Sequence, residues 1–355
     1  MSGRAARWLK RIALGAGALV AVALVTGASY EQMMRRRATA ELLPPGRLVD
    51  VGGGRRIQID CRGEGSPTVV LESGLDNFGA LSWGAVHDSI AATTRVCAYS
   101  RAGIMWSDPS DAPFDLTSLA RDLHTALGAA GERAPYVMVG HSIGGPYVLA
   151  FTHAYPSEVK GLVLVDASHP DQIARMRAIA GKSLAPSPGL VKFGAALAWS
   201  GLVRVFPTGA TPPSWPDGPR RVAPAFLPLS VAALAQETEA VPATLDSART
   251  MRELGDRPLV VLTAGEGESS ESLHAMGLTR GQGDQLAAVK RAMHDEEASW
   301  SRHGRHEIVP GASHYIQFDR PAVVVRATRE VVEAVRLELR GQPSTASVKA
   351  RTAPI

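Results

Sequence analysis

The chain has 355 residues, 45% hydrophobic and 20% charged, which excludes a mainly disordered protein and allows one large domain or two smaller ones. Its net charge of +4 is unevenly placed: residues 1–37 hold seven basic residues against one acid and carry +6, leaving −2 for residues 38–355. A near-neutral body lacks the basic footprint of a nucleic-acid-binding protein, and no nucleic-acid partner is expected.

In chain order, the first element is the uncharged stretch IALGAGALVAVALVTGA from Ile12 to Ala28, bracketed by Arg4–Arg11 and Arg35–Arg37. As a helix it would span roughly 25 Å, the short end of what crosses a bilayer's hydrocarbon core. Its flanking charge suits an uncleaved membrane anchor with a cytoplasmic N-terminus and the body outside the cytoplasm. The alternative is a signal peptide cut after Ala28, with Thr26 and Ala28 at the small-residue positions, giving a secreted protein. Residues 1–37 are taken as this anchor or signal segment.

ELLPPGRLVDVGGGRRIQIDCRG then reads as a hairpin, two short alternating runs around a Gly-Gly-Gly turn. PTVVLESG and TRVCAYSRAG are strands ending near glycine, and DLTSLARDLHTALGAAG is an amphipathic helix capped by Asp115. PYVMVG is a buried strand that stops at Gly140 and turns directly into an apolar helix. GLVLVDAS, PLVVLTAG (258–265) and HEIVPGASH (306–314) are further strands. The last helix runs from about Pro321 to Leu339, with Asp319 as its cap, before a loose tail, 341–355. Buried strands alternating with amphipathic helices predict a parallel sheet covered on both faces. Residues 171–255 break the alternation: they are rich in Pro and Ala with scattered aromatics and too long for an ordinary crossover. They are read as a helical cap over the sheet's carboxyl edge, dividing a core of 38–170 and 256–340.

Ligands of open parallel sheets bind at the carboxyl ends of the strands, and there the sequence places Gly140-His141-Ser142-Ile143-Gly144. G-x-S-x-G at a strand-to-helix turn raises the serine hydroxyl above the sheet, while the Ile143 amide at the helix start can hold an oxyanion. A serine that merely capped the helix would need none of the partners that follow. A hydroxyl nucleophile needs a histidine base, and His314 lies in a loop between the last strand and last helix. His141 is expected to turn away from the serine. The carboxylate that orients the base is open among Asp166, directly after GLVLV, and Glu266 or Glu268, after PLVVLTAG; Asp166 is favoured and Glu268 is the main alternative.

GHSIGG, the strand order and the late GASH resemble the α/β-hydrolase superfamily over roughly residues 46–340. The resemblance implies an eight-stranded, mostly parallel sheet with a helical cap inserted after the sixth strand. It implies a second oxyanion donor after the third strand, which in ESGLDN is the Leu75 amide. The family's acid usually follows the seventh strand and in a subset the sixth, where Asp166 stands. HYIQFDRP is also similar to haloalkane dehalogenases, but those enzymes and epoxide hydrolases use an aspartate nucleophile where this chain has Ser142. The family's second and fourth strands are neighbours, which implies that Cys61 and Cys97 can form a disulfide. The expected activity is serine hydrolysis of an ester or related acyl bond in a small hydrophobic molecule, without metal or cofactor. Leu190, Phe193, Trp199, Val205 and Phe206 suggest the apolar substrate unless they only pack the cap. The alternatives are a carbon–carbon bond hydrolase, an acyltransferase, or a non-catalytic ligand-binding relative of the same fold.

Overall fold

The computed structural model describes residues 3–185, 187–205 and 215–341, so Phe206 and most of the expected tail lie outside the described residues. The chain starts with the long helix α1 (Gly3–Glu41) and the hairpin β1 (Arg47–Asp50) and β2 (Arg56–Arg62). There follow β3 (Thr68–Glu72), α2 (His87–Ala91), β4 (Val96–Tyr99), α3 (Leu116–Ala129), β5 (Tyr136–His141), α4 (Gly144–Ala154) and β6 (Val159–Val165). Helices α5 (Gln172–Ala180), α6 (Pro188–Leu197), α7 (Leu202–Val205) and α8 (Ala223–Ala248) come next. The chain then returns through β7 (Leu259–Ala264), α9 (Ser270–Ala275), α10 (Arg280–Ala298), β8 (Gly304–Val309), α11 (Ile316–Asp319) and α12 (Pro321–Leu339).

The eight strands form one sheet in the order β1-β2-β4-β3-β5-β6-β7-β8. β2 runs antiparallel to both neighbours and every other pairing is parallel, which is the mostly parallel sheet expected. Alternation along each strand feeds two apolar layers. Val70, Met138, Leu162 and Leu164 pack with α3 and α4 residues such as Leu123, Leu127 and Phe151. Val69, Leu71, Val137, Val139 and Val163 pack on the other face with Val324, Val331 and Val335 of α12. Cys61 and Cys97 are register partners in β2 and β4, with α carbons 4.0 Å apart, and are joined as a disulfide.

Asp115 caps α3 by accepting from the Ser118 amide. Asp319 does not cap α12: Arg320 holds the N-cap position, and the Asp319 carboxylate accepts from the Ser313 amide and hydroxyl instead. Between β6 and β7 the described residues contain helices and no strand. α1 continues well past Ala28, and its second half is docked. Glu31 is buried between Arg35 and Arg204, while Ala38 packs with Ile104, Met105, Ala223 and Phe226. The preceding residues 7–26 are exposed, and α1 is long and apolar enough to cross a membrane.

Candidate active site

The order β4-β3-β5 places β3 between two strands that follow it, so the chain exits on opposite sides there and opens a crevice at the carboxyl edge. Ser142 stands in it, one residue past β5, with φ +55°. A left-handed backbone costs a non-glycine residue about 1–2 kcal/mol, so the surroundings must hold it. The Ser142 amide donates to the Val165 carbonyl at 3.2 Å, and its carbonyl accepts from the Gly145 and Ser168 amides at 2.9 and 2.8 Å. The flanking glycines are sterically required: a Cβ on Gly140 would lie 2.5 Å from the Gly144 oxygen. One on Gly144 would lie 2.7 Å from the carbonyls of both Glu72 and Ser73.

Asp166 leaves β6 through an equally sharp turn, φ +44°, with its carboxylate buried. Oδ1 accepts from the Ala264 amide at 2.8 Å, and Oδ2 accepts from His314 Nδ1 and from Lys290 Nζ, each at 2.7 Å. Burial opposes the Asp166 charge, but the His314 hydrogen bond and the Lys290 ammonium outweigh it and hold the carboxyl well below the usual range. His314 itself is exposed toward the crevice, in the loop between β8 and α11 that Asp319 braces. Glu268 is elsewhere: it is exposed, accepts from the Ser272 hydroxyl at 2.6 Å, and makes no contact with His314 among the described residues. Glu266 is exposed on the same loop.

His141, expected to turn away from the serine, packs against His314. Its ring lies 4.6 Å from that of His314, and Nε2 donates to the His314 carbonyl at 2.9 Å. Burial, with the nearby His314 second, pushes the His141 pKa down to about 3, so it stays neutral and serves as a fixed donor. A Cβ on Gly74 would lie 3.0 Å from both His141 Nδ1 and Ser142 Cβ, so the loop after β3 runs directly over the serine turn. Among the described residues the amides of Leu75 and Ile143 donate to no backbone carbonyl. Arg101, buried after β4, grips this loop from behind, donating to the Ser73 carbonyl at 2.9 Å and the Gly74 carbonyl at 2.8 Å. In a trans peptide the N–H points opposite to the C=O, so fixing Gly74 O aims the Leu75 N–H away from Arg101. Arg101 is itself held by Glu72 and by Glu237 of α8, at 2.7 and 2.8 Å. Burial, only partly offset by Arg101, raises Glu72 to about 7.

Beside His314 stands an aromatic group absent from the sequence reading: Trp215, Tyr315 and Phe318, with Trp215 4.6 Å from each of the other two and Phe78 at 6.0 Å from Tyr315. The cap residues read as substrate-facing, Leu190, Phe193, Trp199 and Val205, instead point outward and are exposed. Lys290 had a legible signal, a charge on the core-facing stripe Leu286, Met293, His294 of α10. Arg101 and His141 had none, since their roles depend on loops meeting in space.

A family model described as the alpha/beta hydrolase fold matches residues 67–184. The chain is similar to the uncharacterized protein YbdG of Bacillus subtilis (strain 168), 26% identical over 165 residues, 46% of this chain and 50% of that one. It is also similar to the "Putative carbamate hydrolase RutD" of Azorhizobium caulinodans, 32% identical over 115 residues, 32% of this chain and 42% of the other. A third relative, the "Probable transporter efuK" of Hormonema carpetanum, is 32% identical over 128 residues, 34% of this chain and 18% of its own. The chain therefore spans half or less of the length of these relatives. Among solved structures, a thermophilic esterase from Thermogutta terrifontis superimposes with a TM-score of 0.55 at 18% identity, covering 81% of this chain and 98% of that one. The enol-lactonase from Burkholderia xenovorans LB400 does so at 0.52 and 15%, covering 80% and 99%. The fold of the chain is the α/β-hydrolase fold.

Proposed function

We propose that this chain is a serine hydrolase that cleaves an ester or related acyl bond of an apolar small molecule through an acyl-enzyme. The observation that carries the reading is the His314–Asp166 hydrogen bond at the same sheet edge as the left-handed Ser142. Ser142 Oγ attacks the carbonyl carbon while His314 Nε2 takes its proton, and the Leu75 and Ile143 amides receive the oxyanion. His314 then protonates the leaving group, and water repeats the sequence to release the acid. Asp166 fixes the Nδ1–H tautomer and stabilises the imidazolium. Ser142 Oγ and His314 share no hydrogen bond among the described residues, and in enzymes of this kind that bond commonly forms only in the substrate complex. The substrate's apolar part is assigned to the aromatic group of Phe78, Trp215, Tyr315 and Phe318, with Leu75, Ile143 and Val241 forming a further apolar cluster. The names esterase, lactonase and carbamate hydrolase among similar proteins all describe acyl bonds, which supports this chemistry.

The same reading divides the chain into an anchor at 1–37, a core at 38–170 and 256–340, and a cap at 171–255. α1 is assigned as a retained membrane anchor because the helix runs unbroken through Ala28 and its following residues are packed into the body. The disulfide supports a body on the oxidising side of the membrane.

Labelling with a fluorophosphonate probe tests the chemistry. The wild type is expected to react and Ser142→Ala and His314→Ala to lose the label. An unreactive wild type, or a Ser142→Ala variant labelled equally, would show that Ser142 is not the nucleophile.

A further inference from the structure

We propose that the outward apolar face of the cap around Trp199 beds into the surface of the same lipid bilayer that α1 crosses. The inference rests on the reading of α1 as a membrane span and adds a second contact to it.

The exposed run of α1 ends at Thr26. One residue on, Gly27 lies so close to the cap that a Cβ would sit 2.3 Å from the Ser200 carbonyl. A Cβ on Gly201 would lie 3.1 Å from the Gly27 carbonyl and 3.4 Å from the Tyr30 ring. The level at which the span meets the body is therefore the level of residues 199–202. Trp199 and Leu202, which flank these two contacts, are 50% and 43% exposed, and Tyr30 on α1 is 43% exposed. Tryptophan and tyrosine at the end of a span are the side chains that settle at the membrane–water boundary, apolar body inward and polar tip outward. α6 extends the patch with Leu190 and Phe193, 73% and 63% exposed, while its opposite side lies on α8.

The docking makes this height fixed rather than incidental. The Arg35 guanidinium donates to Glu31 and to the Pro228 carbonyl at 3.1 Å, Arg204 closes on Glu31 at 2.6 Å, and the Trp106 indole donates to the Leu42 carbonyl at 2.7 Å. A span joined through a loose linker would let the body turn freely, whereas this one carries the cap face to the bilayer in a single orientation. An apolar patch continuous with a membrane span has lipid as its nearest partner.

The test uses the full chain in phosphatidylcholine vesicles, with one environment-sensitive thiol-reactive fluorophore at each of four sites. Val20→Cys reports the span and Ser89→Cys the aqueous side, on a helix that packs against α12 rather than the cap. Trp199→Cys and Phe193→Cys report the patch; the native cysteines are bonded and take no label. With spin-labelled lipids, quenching at Val20 and at least about threefold more quenching at positions 199 and 193 than at 89 are expected of shallow lipid contact. Quenching at Val20 with positions 199 and 193 no different from 89 overturns the cap contact and leaves the span standing. A blue-shifted but unquenched signal at 199 and 193 means protein covers the patch, and it overturns the proposal too. No quenching at Val20 overturns the span and the inference together.

Discussion

Replacing Asp166 with asparagine isolates what its charge does, because the structure fixes how the amide must sit. Oδ1 accepts from the Ala264 amide at 2.8 Å, so the asparagine carbonyl is retained on that side. The NH2 group then faces both His314 Nδ1 and Lys290 Nζ, the two donors that Oδ2 accepts in the wild type at 2.7 Å. Its hydrogens oppose the ammonium and select the imidazole tautomer with its proton on Nε2, which cannot take a proton from Ser142. Loss of the correct tautomer and of the stabilised imidazolium is expected to cost about 10³–10⁴ in kcat/KM, equivalent to about 4–5.5 kcal/mol of transition-state stabilisation. The assay is hydrolysis of a short p-nitrophenyl ester by Asp166→Asn, with Glu268→Gln alongside it. Glu268→Gln should stay within about threefold of wild type, as expected of a side chain outside the proton path. A loss under about tenfold for Asp166→Asn, or a larger one for Glu268→Gln, would refute the assignment.

The Cys61–Cys97 bond closes a loop with sequence separation 36, which corresponds to roughly 4 kcal/mol of stabilisation through the unfolded chain. Cys61→Ala/Cys97→Ala should unfold at distinctly lower urea, and equal midpoints would remove that role. Asp76, buried and raised from 3.8 to about 6 chiefly by desolvation, binds a proton in the folded state that the unfolded chain has already released. Its contribution to stability therefore falls as pH rises from about 4 to 6, at an order-of-magnitude cost of up to about 3 kcal/mol. Asp76→Asn should gain on wild type in urea stability at pH 7.5 relative to pH 4.5; a pH-independent difference would contradict this. Arg101→Met leaves Glu72 and Glu237 buried without their cation and should destabilise by about 3–5 kcal/mol, read by thermal unfolding. A melting temperature unchanged from wild type would exclude that role.

The sheet was legible because it rests on local regularities: period-two apolar runs, a serine between glycines where the period changes, and Asp115 before a leucine stripe. Ser142 and Asp166 could be nominated because each is the first residue past a strand, and His314 because it stands in the loop between the last strand and the last long helix. What was not legible depends on chain segments meeting. Arg101 closes on the Gly74 carbonyl of the loop after β3, and His141 finds a carbonyl 173 residues later in sequence. Asp319 is a brace for the His314 loop and not a helix cap because α12 has Arg320 at its N-cap, one residue further on. The apolar cap residues were read by composition alone, which records that a side chain is greasy but not which way it faces.

Arg101 grips carbonyls on one side of a loop whose N–H is assigned to work on the other. The side chain at position 75 therefore has no say in where that amide points, and Leu75→Ala keeps the donor. Glu237, far along the chain on the cap, shares the same guanidinium through Arg101 Nε and Nη2. The direction of the proposed oxyanion donor is thus set by the cap and the sheet jointly, so a substitution in α8 that never touches substrate can reach the reacting carbonyl through one buried cation.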